Sequence, residues 1–472
     1  MVAELSGESW ASAELRSADF GDARLNQRAV KLLERFGAQP SLSIPAACQG
    51  WAETQGAYRF FSNPKVSWEQ VLEPHGEASI ERLRRHAVAL AIQDTTELDF
   101  GGKRDIKGLG PLSYQAQRGM YVHPTLLVTP ERLSLGVWDA WLWAREADHH
   151  GQAQARRHWP IEAKESMRWV EGYERVCELA AQVPDTQLIY VADRESDIYE
   201  LFAAHERARG QGQCADWLIR ATHNRALEEG DKLYEQLEAA PVLGEVTFEL
   251  PRAPGRPART VTQQLRAVQV DLKAPYRVGK KLPTVTVTAL LAREEHPPAG
   301  CEPVRWLLLS SLPVDNAEQA LTLLNYYLCR WEIELFFRIF KGGCEVEELQ
   351  LEHIDRLEPA LALYMIIAWR VLYLMRLGRQ CPELACDVVF DDEEWRAVYL
   401  VSTQQLPPAE PPPLAEILAM VASLGGHLGR KGDGSPGPKA IWIGLQRTRD
   451  FVTALRAQRA AASRQEDSQI CV

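Results

Sequence analysis

Apolar and polar positions change their period several times along the chain, and each change predicts a different element. In DARLNQRAVKLLERFG the apolar residues Leu25, Val30, Leu32 and Leu33 precede Gly37, the pattern of a helix with a breaker at its end. A second amphipathic stretch, IPAACQGWAETQGAYRFFSNPKVSWEQVL, breaks at Asn63-Pro64, and a helix then leads towards Arg85. No strand alternation interrupts residues 1 to about 80. A small helical domain is predicted there.

From Val88 to Ile92 an apolar run ends in Gln93-Asp94-Thr95-Thr96, and β-rich runs follow at Tyr121 to Val128 and Leu135 to Trp143. Three strands with short links predict an antiparallel meander. A helical segment from Ile161 to Gln182 precedes the apolar strand Leu188 to Ala192, which ends in Asp193; a further helix and a strand from Asp216 to Thr222 follow. The order β-β-β-α-β-α-β predicts an α/β core. Between about 230 and 305 the segments VTFEL, AVQVDL and TVTVTALLA alternate between Pro- and Gly-rich turns, predicting an inserted antiparallel β subdomain.

Helical periodicity returns from Ala317 to about Leu377 as two long helices, one carrying the apolar run Pro359 to Trp369. Arg370 ends that run well short of the about 20 apolar residues of a spanning helix, so a buried helix is expected and no membrane partner. The acidic run Asp391 to Glu394 is expected as a solvated surface. Pro407, Pro408, Pro411, Pro412 and Pro413 mark a stiff connector. A helical pair split by GRKGDGSPGP closes the ordered chain, with a frayed tail after about 460.

The 472 residues suggest roughly three domains at about 150 residues each. A hydrophobic share of 46% and a charged share of 25% fit a large packed core rather than disorder. Net charge is −11, so any nucleic-acid site must be regional. The nine cysteines, of which Cys381 and Cys386 are the closest pair, form no CxxC motif. With no basic segment leading into an apolar one at the N-terminus, a reducing cytoplasm is the expected compartment.

Asp94 and Asp193 each end an apolar strand, where open α/β sheets place their ligands. Each could equally cap the turn that follows it. A third acid lies in NYYLCRWEIELFFRIFK, where Tyr327, Arg330, Glu334 and Lys341 fall at offsets of three, seven and fourteen residues. On one continuous helix these offsets share an arc of roughly 60°. Leu328, Trp331, Leu335 and Ile339 would form the adjoining buried stripe. A solvated face with ordinary ion pairs fits the same spacing. Taken together, three oxygen-donor acids suit a hard divalent ion, Mg²⁺ or Mn²⁺. Two such ions can drive an in-line phosphoryl transfer. Arg330 and Lys341 would suit a substrate phosphate.

Residues 251 to 281 carry eight Arg or Lys, among them Arg252, Arg256, Arg259, Lys280 and Lys281, against the single acid Asp271. A basic β-ribbon can track a phosphate backbone. A solubilising loop is the other reading of the same composition.

These residues give the chain a family resemblance. It resembles bacterial cut-and-paste DDE transposases of the insertion-sequence group whose signature is Tyr-x2-Arg-x3-Glu-x6-Lys, here Tyr327, Arg330, Glu334 and Lys341. Supporting segments are GAYRFFSNPKV at 56 to 66, QDTTELDF at 93 to 100, RGMYVH at 118 to 123, KESMRW at 164 to 169 and ADRESD at 192 to 197. PPAGCEPVRWLLLSSLPV at 297 to 314 and KAIWIGLQ at 439 to 446 extend the match over nearly the whole chain.

The resemblance implies an RNase H-like catalytic domain at 81–378, interrupted by the β subdomain at about 230–305. A helical end-DNA-binding domain at 1–80 and a helical C-terminal dimerisation region at 379–472 would flank it. It makes Asp94, Asp193 and Glu334 the metal-binding triad, with two Mg²⁺ or Mn²⁺ ions per site. Trp306 matches the residue on which a flipped base stacks, while Tyr327, Arg330 and Lys341 would grip the phosphates around that base. His123 is expected as a strand residue near the site rather than a metal ligand, and Arg194, Glu195 and Asp197 as residues that order a helix start. The implied partners are double-stranded transposon-end DNA, target DNA and a second protomer, in a bacterial cytoplasm where bound protein is nucleoid-associated. A DNA-binding protein of transposase descent that does not cut, and a metal-dependent endonuclease without strand transfer, are the alternatives. Because residues 1 to about 380 hold the end-binding region, the triad and the β subdomain, truncation there is expected to spare single-end binding and lose pairing of ends.

Overall fold

The computed structural model describes residues 9–101, 106–114, 116–146, 161, 164–212, 214–252, 257–277, 279 and 281–470, with side chains through 462. The chain opens with five helices, α1 (Trp10–Glu14), α2 (Ala23–Ala38), α3 (Ile44–Cys48), α4 (Trp51–Phe61) and α5 (Trp68–Leu83). Their starts are written locally. Asp22 accepts from the Arg24 N–H, and Ser67 forms a reciprocal box with Gln70, each satisfying amides that the first helical turn leaves free.

The middle of the chain is built on one 11-stranded sheet. Strands β1 (Val88–Gln93), β2 (Thr96–Asp99), β3 (Gly110–Pro111), β4 (Arg118–Val128) and β5 (Ser134–Trp143) come first. Helix α6 (Met167–Gln182), β6 (Gln187–Ala192), α7 (Tyr199–Gly210) and β7 (Asp216–Arg220) follow. Across the sheet the order is β5-β4-β1-β6-β7, with β1, β6 and β7 mutually parallel and β4 antiparallel to both its long neighbours. The short strand β2, within QDTTELDF, was not among the elements expected from the pattern.

After α8 (Leu233–Ala239) come β8 (Gly244–Leu250), β9 (Arg259–Leu272), β10 (Val285–Glu294) and β11 (Arg305–Ser310), all antiparallel. The insertion does not stand apart. Strand β11 pairs with β7, Leu309 opposite Ile219, so the inserted strands prolong the core sheet.

Next are α9 (Ala317–Leu328), α10 (Trp331–Arg338), α11 (Ile354–Gln380), α12 (Asp392–Thr403), α13 (Leu414–Leu424) and α14 (Pro438–Ile470). The sheet separates two cores. Alternation along β1 sends Ala89 and Ala91 to the face covered by α6 and α7, and Leu90 and Ile92 to the face covered by α11. Helix α11 is long and apolar enough to cross a membrane, but its apolar surface is buried within the protein. Its core is shared with Phe36 of the N-terminal helices and with Ile417, Val421 and Ile441 of the C-terminal ones.

Two expectations about the C-terminal part change. The run Asp391 to Glu394 is solvated only in part: Asp391 and Asp392 are exposed, but Asp391 and Glu394 box the start of α12, and the buried Glu394 pairs with Arg449 of α14 at 2.7 Å. Glu393 and Glu394 are held by arginines distant in sequence, which composition cannot reveal. The backbone after 460 continues as helix to Ile470.

Candidate active site

The parallel pairing of β1 and β6 sets Gln93 opposite Ala192, so Asp94 and Asp193, the next residue of each strand, leave the sheet side by side. Asp193 also caps the short 3₁₀ turn Arg194–Ser196, accepting from the Glu195 N–H at 2.7 Å. Site acid and turn cap are here the same residue. Asp197 orders the neighbouring loop by accepting from the Thr222 and His223 amides at 2.7 and 3.0 Å and pairing with Arg225.

Glu334 comes from α10, and the helix carrying it is not the continuous one expected. Bonds from Arg330 N to Tyr327 O (3.0 Å) and from Glu332 N to Cys329 O (2.9 Å) tighten the turn between α9 and α10. A wider π turn follows at Ile339–Gly343. Tightening re-aims the apolar stripe. Ile333, Phe336, Phe337 and Phe340 are buried, while Trp331 is 53% exposed and Leu328 and Leu335 are half-buried. The π turn carries Lys341, and its Gly343 leaves room for Trp442, whose ring a Cβ would approach to 3.0 Å.

Despite the broken helix the polar residues converge. Asp94, Asp193, Arg330, Glu334 and Lys341 line one cavity of about 540 Å³. A larger one of about 910 Å³ lies by the start of α11; chemistry, not size, distinguishes the former. Arg330 Nη1 contacts Asp94 Oδ2 at 2.7 Å and Glu334 Oε1 at 3.3 Å. Lys341 donates to the Glu97 carbonyl at 2.8 Å and pairs with Glu347 at 3.1 Å. Glu97 and Glu347 were not foreseen, and only the position of Glu97 inside QDTTELDF could have signalled it.

Tyr327 is buried at the end of α9, flanked by Arg330 and Arg220, and meets the half-buried Trp306 edge-on at 6.1 Å. Of the basic residues, Arg252 and Lys281 are exposed. Arg259 is not free for a phosphate: it grips the buried Glu294 through both carboxylate oxygens. Arg256 and Lys280 lie outside the described residues. His123 is buried in β4 with Nδ1 2.7 Å from Thr95 Oγ1, one residue removed from Asp94.

The electrostatics ask for positive charge. Burial, then the neighbouring Asp193, push the Asp94 carboxyl up to about 7, with Glu334 adding to the rise and Arg330 and the Thr95 amide opposing it. A set of oxygen donors that resists its own ionisation fits a hard cation. Among the described residues no three His, Cys, Asp or Glu side chains are gathered closely enough to enclose an ion. The Arg330 guanidinium bridges two of the acids instead.

Three family models match the chain in order: Transposase DNA-binding over residues 7–66, Transposase DDE domain over 170–370 and Transposase Tn5 dimerisation domain over 366–465. The chain belongs to the DDE transposases of the insertion-sequence kind. The transposase carries Asp193 and Glu334 inside the DDE match, whereas Asp94 precedes it and is set beside Asp193 by the sheet and linked to Glu334 through Arg330. The DNA-binding match falls on α1 to α4, and the dimerisation match runs from within α11 into α14. A DDE domain implies dependence on divalent metal in general, in keeping with the donor set.

Proposed function

We propose that this transposase cleaves DNA at transposon ends and joins the freed 3′-hydroxyls to target DNA, with Asp94, Asp193 and Glu334 holding two Mg²⁺ or Mn²⁺ ions. The observation that carries this reading is the convergence of the three acids, with Arg330 and Lys341, on one cavity. Bound divalent ions would supply Lewis-acid activation of the attacking oxygen and neutralise charge on the leaving one. The protein's part is to bind and orient. Tyr327, Arg330 and Lys341 grip the phosphates around a flipped base, and that base stacks on the free face of Trp306. Arg252 and Lys281 follow the backbone. Residues 1–80 read the end, and 379–472 hold two protomers together. In cleavage a water oxygen bonds to phosphorus as the P–O3′ bond breaks, leaving a 3′-hydroxyl and a 5′-phosphate. Joining re-forms one ester bond for each one broken in the target.

Glu334→Gln and Asp193→Asn test it, in gel-shift and strand-cleavage assays on DNA from the flanks of the gene with Mg²⁺ or Mn²⁺. End binding should persist and cleavage vanish. Full cleavage by either variant removes that residue from the site. Cleavage without joining by the unaltered protein would favour an endonuclease.

A further inference from the structure

The side chains of both neighbours of Asp94 are hydrogen-bonded into the fold. Gln93 donates to Thr125 Oγ1 at 2.9 Å and accepts from Tyr190 OH at 2.8 Å. Helix α6 crosses it at Gly172, where a Cβ would stand 2.2 Å from the Gln93 amide. On the other side, the Thr95 N–H donates to Asp94 Oδ1 at 2.8 Å while the Thr95 hydroxyl meets His123 Nδ1 at 2.7 Å.

His123 is enclosed by indoles, with Trp169, Trp141 and Trp143 at ring separations of 4.6, 5.7 and 6.5 Å, all edge-on. Among the described residues its Nε2 has no hydrogen-bond partner. Burial, reinforced by the charge of Arg168, pushes its pKa down to about 3, so the ring is neutral at pH 7. A neutral imidazole carries one N–H and one lone pair, so a Thr95 hydroxyl that donates to Nδ1 places the ring's proton on Nε2, among the indoles.

We propose that His123 is a positioning residue: through Thr95 it fixes the Asp94 carboxylate in the rotation that commits Oδ1 to the Thr95 amide and turns Oδ2 towards positive charge. In this structure that charge is Arg330. The aromatic box makes the arrangement rigid, because neither the imidazole nor the threonine can rotate without leaving a buried polar atom unpaired. The inference rests on the proposed reading of Asp94 as a metal ligand.

The test follows Mn²⁺ binding by electron paramagnetic resonance in the full-length protein bound to end DNA from the gene's flanks. Variants are Thr95→Val, isosteric without the hydroxyl; Thr95→Ser, which restores it; His123→Phe; and His123→Asn, whose amide oxygen can stand in for Nδ1. Thr95→Val and His123→Phe should weaken Mn²⁺ binding by about 10- to 100-fold, as loss of outer partners of metal ligands does. Thr95→Ser and His123→Asn should recover most of it, with the thermal transition of Thr95→Val unchanged. Wild-type Mn²⁺ affinity in Thr95→Val, or equal weakening in Thr95→Ser, overturns the proposal. Asp94→Asn separates the two claims. If it binds Mn²⁺ as wild type does, the triad reading fails and the inference with it; if it loses Mn²⁺ while Thr95→Val does not, the inference alone fails.

Discussion

Arg330 and Asp94 form the closest charge contact of the candidate site, 2.7 Å from Nη1 to Oδ2, with both side chains largely buried. One guanidinium therefore serves two acids, since it also reaches Glu334. Removing it leaves Asp94 buried beside Asp193 with less compensation. Arg330→Ala should lower the stability of the DNA-free protein by about 1 to 3 kcal/mol, the cost of a buried group left unpaired. Mn²⁺ should raise the melting temperature of the variant more than that of the wild type. Thermal denaturation with and without Mn²⁺ checks both parts, and an equal metal response would show that Arg330 and the ion do not share a role.

Trp306 is half-buried and rests edge-on against Tyr327. If its free surface is the platform for a flipped base, Trp306→Ala forfeits about 1 to 3 kcal/mol of stacking. Trp306→Phe should keep a good part of it. Cleavage of end DNA should fall more than end binding, measured side by side. Loss of the cooperative thermal transition in both variants would instead mark the ring as core.

The acids at the ends of β1 and β6 were legible because an apolar run closed by Asp is a local pattern. The Tyr-Arg-Glu-Lys spacing was legible too, although for a helix more regular than the real one. A tightened turn at Arg330 and a π turn at Ile339–Gly343 depend on packing against α11 and Trp442, which no local window contains. The same holds for the inserted strands, whose continuity with the core rests on pairing Leu309 with Ile219 across some 90 residues. Charge composition misled at Arg259 and at Glu394, because each is paired with a residue distant in sequence, Glu294 and Arg449.

Stability at low pH should depend on Glu14. This α1 carboxylate is buried between His75 and Arg82, whose nitrogens lie 2.6 and 2.8 Å away. Burial raises its pKa, but these partners more than offset that and bring it down to about 2. The Val137 N–H donates to His75 Nε2 at 3.1 Å, so Nδ1 carries the proton given to Glu14. A depressed carboxyl stabilises the fold fully above its unfolded value of about 4.5, and the contribution disappears as pH falls through about 2. At about 1.4 kcal/mol per pH unit, wild type should lose up to about 3 kcal/mol across that window that Glu14→Gln does not lose. Denaturant unfolding of both proteins between pH 5 and 2 measures the difference, and parallel curves would refute the assignment.

Truncation after Gln380 bears on the role of the C-terminal helices, and the packing reverses what the domain order suggested. Ile417, Val421, Ile441 and Trp442 belong to the same core as α11 and Phe36. Polar contacts reach further, from Gln39 to Asp450 and from Gln446 to Ser41, both at 2.7 Å. Removing 381–472 would strip the cover from one flank of α11 and of the N-terminal helices together. Each large apolar side chain lost from such a core forfeits about 1.5 to 3 kcal/mol of burial, so four exceed much of the 5 to 15 kcal/mol that typically holds a domain folded. The truncated chain should therefore melt far below the full-length protein, or aggregate, and lose end binding along with pairing of ends. Circular dichroism melts and gel shifts on the two proteins decide it. A truncated chain that keeps the full-length melting temperature and still binds single ends would show that the C-terminal helices serve dimerisation alone.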